Sequence, residues 1–307
     1  MYPLVVDRVT KRYGANVAVN NVSFRVEPGR IFGILGPNGA GKTSTIRMVT
    51  HITAPDSGRI TFGDMEVGRE SQKVMGYLPE ERGLYRKMKV LEQLTYFGQL
   101  KGLPTRRAVE ESRRWLERFS LSEVADKRVE ELSKGMQQKV QFIATILHDP
   151  KLCIFDEPFS GLDPINSQLL QDIILELRQE GRTILFASHR MEQVEQMCDD
   201  IFLIARGREV LHGTLRDVKS RFGQNTVELA FSGDASFLDD LEARGAVKVL
   251  HRTSGAAQVR LNEGVSPRSI VEVALASVDE LFRFELVEPP LSEIFVMAVN
   301  SQEEVAA

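Results

Sequence analysis

Residues Gly36-Pro37-Asn38-Gly39-Ala40-Gly41-Lys42-Thr43 satisfy the spacing G-x-x-x-x-G-K-[ST] without a mismatch. Glycines in such a loop let the backbone curl, so that successive N–H groups and the start of the next helix face phosphate oxygens. Lys42 would neutralise the β- and γ-phosphates, and Thr43 would give its hydroxyl to Mg²⁺. Ser44, one residue into the helix, is grouped with them as nucleotide-binding. The plain alternative is a glycine-rich turn that happens to precede a helix, an accident of roughly one per cent in a chain of this length. Nucleotide binding is the first function expected.

Two carboxylates close the apolar run Leu152-Cys153-Ile154-Phe155-Asp156-Glu157. A buried parallel strand delivers acids in this way to the ligand edge of an α/β sheet. Asp156 would then hold Mg²⁺ through its water shell, and Glu157 would take a proton from an attacking water. A second apolar run, Thr183 to Ala187, ends in Ser188-His189. Of the five histidines only His189 stands at such an edge, where it would reach a phosphate or a catalytic water; a satisfied surface His is the ordinary alternative. Three weaker signals accompany these. Tyr13 offers a ring for stacking on a base, or is an exposed turn residue. Ser133 and Gly135 stand before a helix and suit either an anion or simple N-capping. Asp163 caps the helix opened by Pro164.

The elements that must position these groups follow from periodicity. A strand at 31–35 and a helix from Thr43 flank the glycine loop. Strands are expected at 4–9, 17–26, 58–62 and 75–78, with Pro79 to Gly83 as a loop. Residues 90–148 turn helical, broken at Gly102-Leu103-Pro104 and near Ser120 to Ser122. A helix from Pro164 to about Glu180, two strands within 199–212 joined at Arg206-Gly207-Arg208, and a short helix from Leu215 to Phe222 complete an α/β unit. A boundary is expected at Gly223-Gln224. Beyond it the order is β-α-β-β-α-β, with strands at 226–231, 247–251, 258–261 and 283–287 and helices at 235–244 and 267–277. That is a small α+β ferredoxin-like domain, with a terminal helix at 291–300.

With 307 residues, 42% apolar and 27% charged, the chain has material for two cores, and disorder is expected only over Ser301 to Ala307. Cys153 and Cys198 have no metal-ligand spacing and read as buried thiols. Residues 224–307 carry net charge −8 against +4 for the rest, which disfavours nucleic acid as a partner. The absence of a long apolar run or an N-terminal signal leads to the expectation of a soluble chain that stays in the cytoplasm.

With these motifs in order, residues 4 to about 223 resemble the ATP-binding subunit of ABC transporters. Gly36 to Thr43 looks like Walker A, Leu132 to Met136 like the ABC signature, and Leu152 to Asp156 like Walker B followed by the catalytic carboxylate Glu157. Ser160 to Asp163 resembles the D-loop, His189 the switch histidine and Tyr13 the adenine-stacking aromatic. The resemblance implies a P-loop ABC ATPase domain (1–223) of mixed sheet with a helical subdomain at about 88–148, then an accessory domain (224–307). It also implies ATP and Mg²⁺ as ligands, a second ATPase subunit whose Ser133 and Gly135 complete the phosphate site in a homodimer, and a membrane permease that keeps the chain peripheral on the inner face of the membrane. Two departures stand out. Glu80 occupies the position where the family usually has Gln and would be its Mg²⁺ contact, and the signature reads Leu-Ser-Lys-Gly-Met. With the acidic extension, these features look like bacterial exporters of the sodium-extrusion and drug-resistance type. A nucleotide-dependent clamp on ribosomes or nucleic acid is the alternative, opposed by the absence of a basic tract.

Overall fold

The computed structural model describes residues 3–81, 83–222 and 225–306, with side chains up to Val299. Its chain divides into two compact units, Met1–Thr214 and Leu215–Ala307. The division falls before the expected boundary at Gly223-Gln224, which lies outside the described residues. Helix α7 (Leu215–Arg221) goes with the second unit.

Two sheets build the first unit. One is antiparallel, in the order β2 (Asn16–Val26), β1 (Leu4–Tyr13), β4 (Ser57–Phe62), β5 (Met65–Glu66). Val22, Phe24 and Val26 of β2 are buried in turn with the more open Ser23 and Arg25, which is the alternation that a sheet covered on one face imposes. The other is a mixed six-stranded sheet, in the order β10 (Arg208–Thr214), β9 (Asp200–Ala205), β3 (Ile31–Leu35), β8 (Thr183–Ser188), β7 (Leu152–Asp156), β6 (Met75–Leu78). Only β10 runs antiparallel to its neighbour. Every residue of β3, β7 and β8 is buried, as central parallel strands covered on both faces require, and this is why their sequences are continuous apolar runs. Register then aligns their ends: Leu35 pairs with Ser188, and Asp156 with Ala187. Three chain segments thereby reach one edge of the sheet at one level.

Helices α2 (Val90–Leu100), α3 (Thr105–Arg118) and α4 (Lys134–Ile146) form the expected helical region. The breaker Gly102 has φ 94° and turns the chain between α2 and α3. On α4, Phe142 stacks on Phe155 of β7 at 5.1 Å and 16°, tying the helical region to the strand that carries Asp156. Helix α1 (Lys42–Val49) follows β3, α5 (Pro164–Gln179) precedes β8, and α6 (Met191–Met197) follows it.

In the second unit, β11 (Thr226–Ser232), α8 (Phe237–Ala243), β12 (Val247–Arg252), β13 (Ala256–Leu261), α9 (Pro267–Ser277) and β14 (Glu280–Val287) give an antiparallel sheet ordered β12-β13-β11-β14. This is the ferredoxin-like arrangement, over a separate core centred on Val227, Leu229, Phe231, Leu238 and Val259. The last helix, α10, runs Leu291–Ala306. It therefore continues through a stretch whose sequence suggests disorder, because Gln302, Glu303, Glu304 and Ala306 are good helix formers with no Gly or Pro among them. No helix of the described residues is long and apolar enough to cross a membrane.

Phe142→Ala should empty a fully buried site between α4 and β7, lowering the stability of the first unit by about 3–5 kcal/mol. Denaturant unfolding against the parent chain measures it; a loss below about 1 kcal/mol would mean that this stack is not what holds α4 on the sheet.

Candidate nucleotide site

The glycine loop occupies the turn between β3 and α1. Gly41 stands at the N-cap of α1 with φ 112°, and a Cβ there would lie 2.5 Å from the Ala18 carbonyl oxygen. At Gly36 a Cβ would meet the Ile204 carbonyl oxygen at 2.1 Å. Neither position accepts a side chain, so bare backbone lines the turn. Pro37, Asn38, Gly39 and Thr43 are exposed, Ser44 is half-buried and Ala40 is buried. Gly207 N–H donates to the Ala40 carbonyl at 2.8 Å, which braces the loop from the turn before β10.

Lys42 is buried inside this curl. Its ammonium donates to the carbonyls of Gly36 at 2.6 Å and Pro37 at 3.1 Å. Burial pulls its pKa down, opposed by the negative charges of Glu157, Asp156 and Glu80. A cation held by two neutral carbonyls is poorly compensated, and an anion entering the loop would repair that.

Asp156, at the end of β7, is 2% exposed. Its carboxyl is pushed up to about 7, first by burial and then by the charges of Glu80 and Glu157, with Lys42 and Arg47 pulling the other way. Its Oδ2 is buried without a hydrogen-bond partner. An orphaned carboxylate oxygen among further acids suits a small dication, whose charge would restore the ionised form. Asp156, with Thr43 beside Lys42 in the chain and Glu80 acting on it by charge, is thus a fitting donor set for Mg²⁺, the remaining oxygens coming from phosphate and water.

Glu157 follows in a left-handed conformation, φ 50°, which a non-glycine residue holds only when its surroundings enforce it. Its N–H donates to the Ala187 carbonyl at 2.9 Å. Oε1 accepts from the His189 backbone N–H at 2.6 Å and lies 2.6 Å from His189 Nδ1, while the Ser188 hydroxyl donates to Oε2 at 3.0 Å. The Nδ1 contact requires the proton on that nitrogen. Ser188 Oγ also accepts from the Arg190 N–H at 3.1 Å. The carboxylate is therefore fixed to the end of β8 by two consecutive residues, one buried and one with a 54% exposed side chain.

The other expected site residues stand apart from this group in the contacts of the described residues. Tyr13 ends β1, 44% exposed, with Lys11 Nζ 5.8 Å from its ring centroid. Ser133 is exposed and caps α4, its Oγ accepting from the Met136 N–H at 3.3 Å. Gly135 has room for a Cβ, which would meet only Leu162 Cδ2 at 3.7 Å, so packing within this chain does not demand glycine there. Asp163 caps α5 and holds Asn166 with both oxygens, which keeps its carboxyl below the usual range. Glu80 is exposed just after β6 and reaches the site through its charge on Asp156 and Lys42. Sequence reading places Ser188 only as the end of a strand and misses its bond to Glu157; a hydroxyl directly before an edge His is the one available signal.

For Asp156 the folded-state value is raised above that of the unfolded chain. Its contribution to stability is therefore present at low pH and lost as pH rises through about 7. The ligand-free protein should lose thermal stability between about pH 4 and pH 7 more steeply than Asp156→Asn, and no more steeply above that interval. Melting curves across that interval check it, and parallel curves for the two proteins would reject the buried-carboxyl assignment.

A family model described as ABC transporter matches residues 19–160, and one for the C-terminal domain of DrrA1-3-like ATP-binding proteins matches 213–299. The chain is 42% identical over 298 residues to an uncharacterized ABC transporter ATP-binding protein, YhaQ, of Bacillus subtilis, covering 97% of this chain and 99% of that one. It is 32% identical over 303 residues to the linearmycin resistance ATP-binding protein LnrL of the same organism, covering 95% and 97%. A solved ATP-binding subunit of an ABC transporter superposes with TM-score 0.68 at 30% identity, over 78% of this chain and 98% of that one. Fold, phosphate loop and relatives agree: the chain belongs to the ATP-binding subunits of ABC transporters and is an ATPase.

Proposed function

We propose that this ATPase energises a separate transmembrane permease of an exporter, working as a Mg²⁺-dependent homodimer on the cytoplasmic face of the membrane. The observation that carries the reading is the single charge cluster at the sheet edge, where Lys42, Asp156 and Glu157 act on one another and His189 holds Glu157. Lys42 leaves the loop carbonyls for the β- and γ-phosphates, and Thr43 and Ser44 follow it at the start of α1. Asp156, Thr43 and Glu80 hold Mg²⁺, which supplies positive charge against the phosphates when bound. Glu157 takes the proton of the attacking water, using lone pairs left free by Ser188 and His189. His189, with its half-exposed ring, keeps that carboxylate oriented and meets the terminal phosphate. Tyr13 stacks on the base. The spare room at Gly135 and the exposure of Ser133 support a role for them against the nucleotide of a second subunit, with Asp163 keeping the adjoining turn in place.

Support for an exporter comes from the relatives, among them LnrL and the Nod factor export ATP-binding proteins of rhizobia, and from the matched C-terminal domain. The two domains proposed are the ATPase and the acidic accessory domain that follows it.

Lys42→Ala should abolish ATP binding in a filter assay, since no other buried cation faces the loop in the charge cluster described above. Glu157→Gln should keep binding but lose turnover by about 10²–10⁴-fold and run as a dimer with Mg-ATP in gel filtration. Unchanged turnover in Glu157→Gln would overturn the assigned base. ATP binding without dimer formation would instead reject the homodimer and leave the base in place.

A further inference from the structure

Strand β14 is an outer strand of the second unit's sheet, next to β11, and none of its eight residues is buried. Such an edge leaves a row of backbone N–H and C=O groups without sheet partners. Pairing with β11 sets Leu286 against Val227, Phe284 against Leu229 and Leu281 against Phe231. Those β11 residues are buried in the core, so Leu281, Phe284 and Leu286 lie on the helix-covered face. The ladder shifts between Ala230 and Phe231, which leaves Phe282 as the extra residue of a bulge. Phe282 is 66% exposed and Leu286 38%. Helix α9, which packs beside β14, adds Leu275 at 60%. On the opposite face Arg283 Nε donates to Glu285 at 2.8 Å, and Arg283 approaches Glu228 at 3.3 Å.

We propose that β14 is a self-association edge, joining two copies of this chain strand to strand, antiparallel, about a two-fold axis at Phe284. In that register Arg283 stands opposite the partner's Glu285, and Glu285 opposite the partner's Arg283. Phe282 stands opposite the partner's Leu286, and again the reverse, while Phe284 meets its own copy. Phe282 and Leu286 thus each find an exposed apolar residue, and Arg283 and Glu285 each find the opposite charge, with the backbone edge completed into an eight-stranded sheet. Only Glu280 and Glu288, at the ends of the pairing, meet like charge, and there the solvent screens it. Charges and a bulge also serve to blunt an edge against association. Edge charges protect best against a second copy when they are alike, whereas here the order positive then negative, two residues apart, becomes complementary when reversed. The contact needs no nucleotide, so it is independent of the ATP-dependent dimer of the ATPase domains.

Sedimentation velocity of the full chain without nucleotide, over the micromolar range, tests it. The parent should form a reversible dimer, as should Lys42→Ala. Arg283→Glu and Glu285→Arg should each weaken it about tenfold by facing like charges, and the double exchange should restore it. Phe282→Asp, at an exposed position, should leave the far-ultraviolet circular dichroism spectrum unchanged and remove the dimer. A monomer throughout would overturn the proposal, as would a strand reserved for a different protein, which gives the same result. A dimer indifferent to Phe282→Asp, or a double exchange as weak as the single ones, would overturn it too. Glu157→Gln with Mg-ATP, in the Phe282→Asp background, should still dimerise; its failure would count against the ATP-driven closure and not against the β14 edge.

Discussion

Everything at the phosphate end of this chain depends on keeping opposite charges out of water at one sheet edge. Lys42 and Asp156 are both buried and feel desolvation in opposite directions, the lysine losing affinity for its proton and the aspartate gaining it. Left alone they would neutralise each other by proton transfer or direct pairing. The fold avoids the pairing by giving Lys42 two loop carbonyls and leaving Asp156 Oδ2 without a partner. The result is a site whose two unmet demands, an anion for the lysine and a cation for the aspartate, are together those that a magnesium nucleotide satisfies.

That geometry rests on central strands that keep charged side chains to their last positions. β3 and β7 present five buried residues each and β8 six, all in parallel register, so charge enters only where the strands stop. Phe155 fixes β7 to α4 and Phe186 of β8 packs on Phe159 at 5.7 Å, which seats the turn after Glu157. Apolar contact on both faces supplies the stability that offsets the left-handed Glu157 and the buried charges.

Legibility followed the same division. The buried strands could be read because a short continuous apolar run, closed by polar residues, suits a strand covered on both faces and little else. The glycine loop could be read because its spacing is rarely met by accident. Strand β1 runs on to Tyr13, beyond the expected end, because its ladder with β2 continues to the pair Tyr13–Asn16; Lys11 Nζ also reaches Asp56 and the Ala54 carbonyl across 45 and 43 residues, a contact that no local pattern announces. The reasons for Gly36 and Gly41 were legible as loop curvature but not as close approach to Ile204 and Ala18, since those neighbours come from distant strands. Order along the chain gave the ferredoxin-like unit, whereas the position of β14 at an open edge required the sheet itself.

Glu80 brings the electrostatics of the site to one residue. An amide at this position would leave Asp156 with burial and Glu157 acting on it; the carboxylate adds a second negative charge, placed second among the causes that raise Asp156. A free site with Glu80 therefore holds its proton on Asp156 more firmly, and a dication held there would have to displace that proton as well as water. The same extra charge strengthens the attraction for the dication once Asp156 is ionised. The two effects would oppose each other at low pH, whereas at high pH only the attraction remains, so the carboxylate would make metal loading more dependent on pH than an amide would. An exposed residue in a loop thus tunes a buried one through its charge.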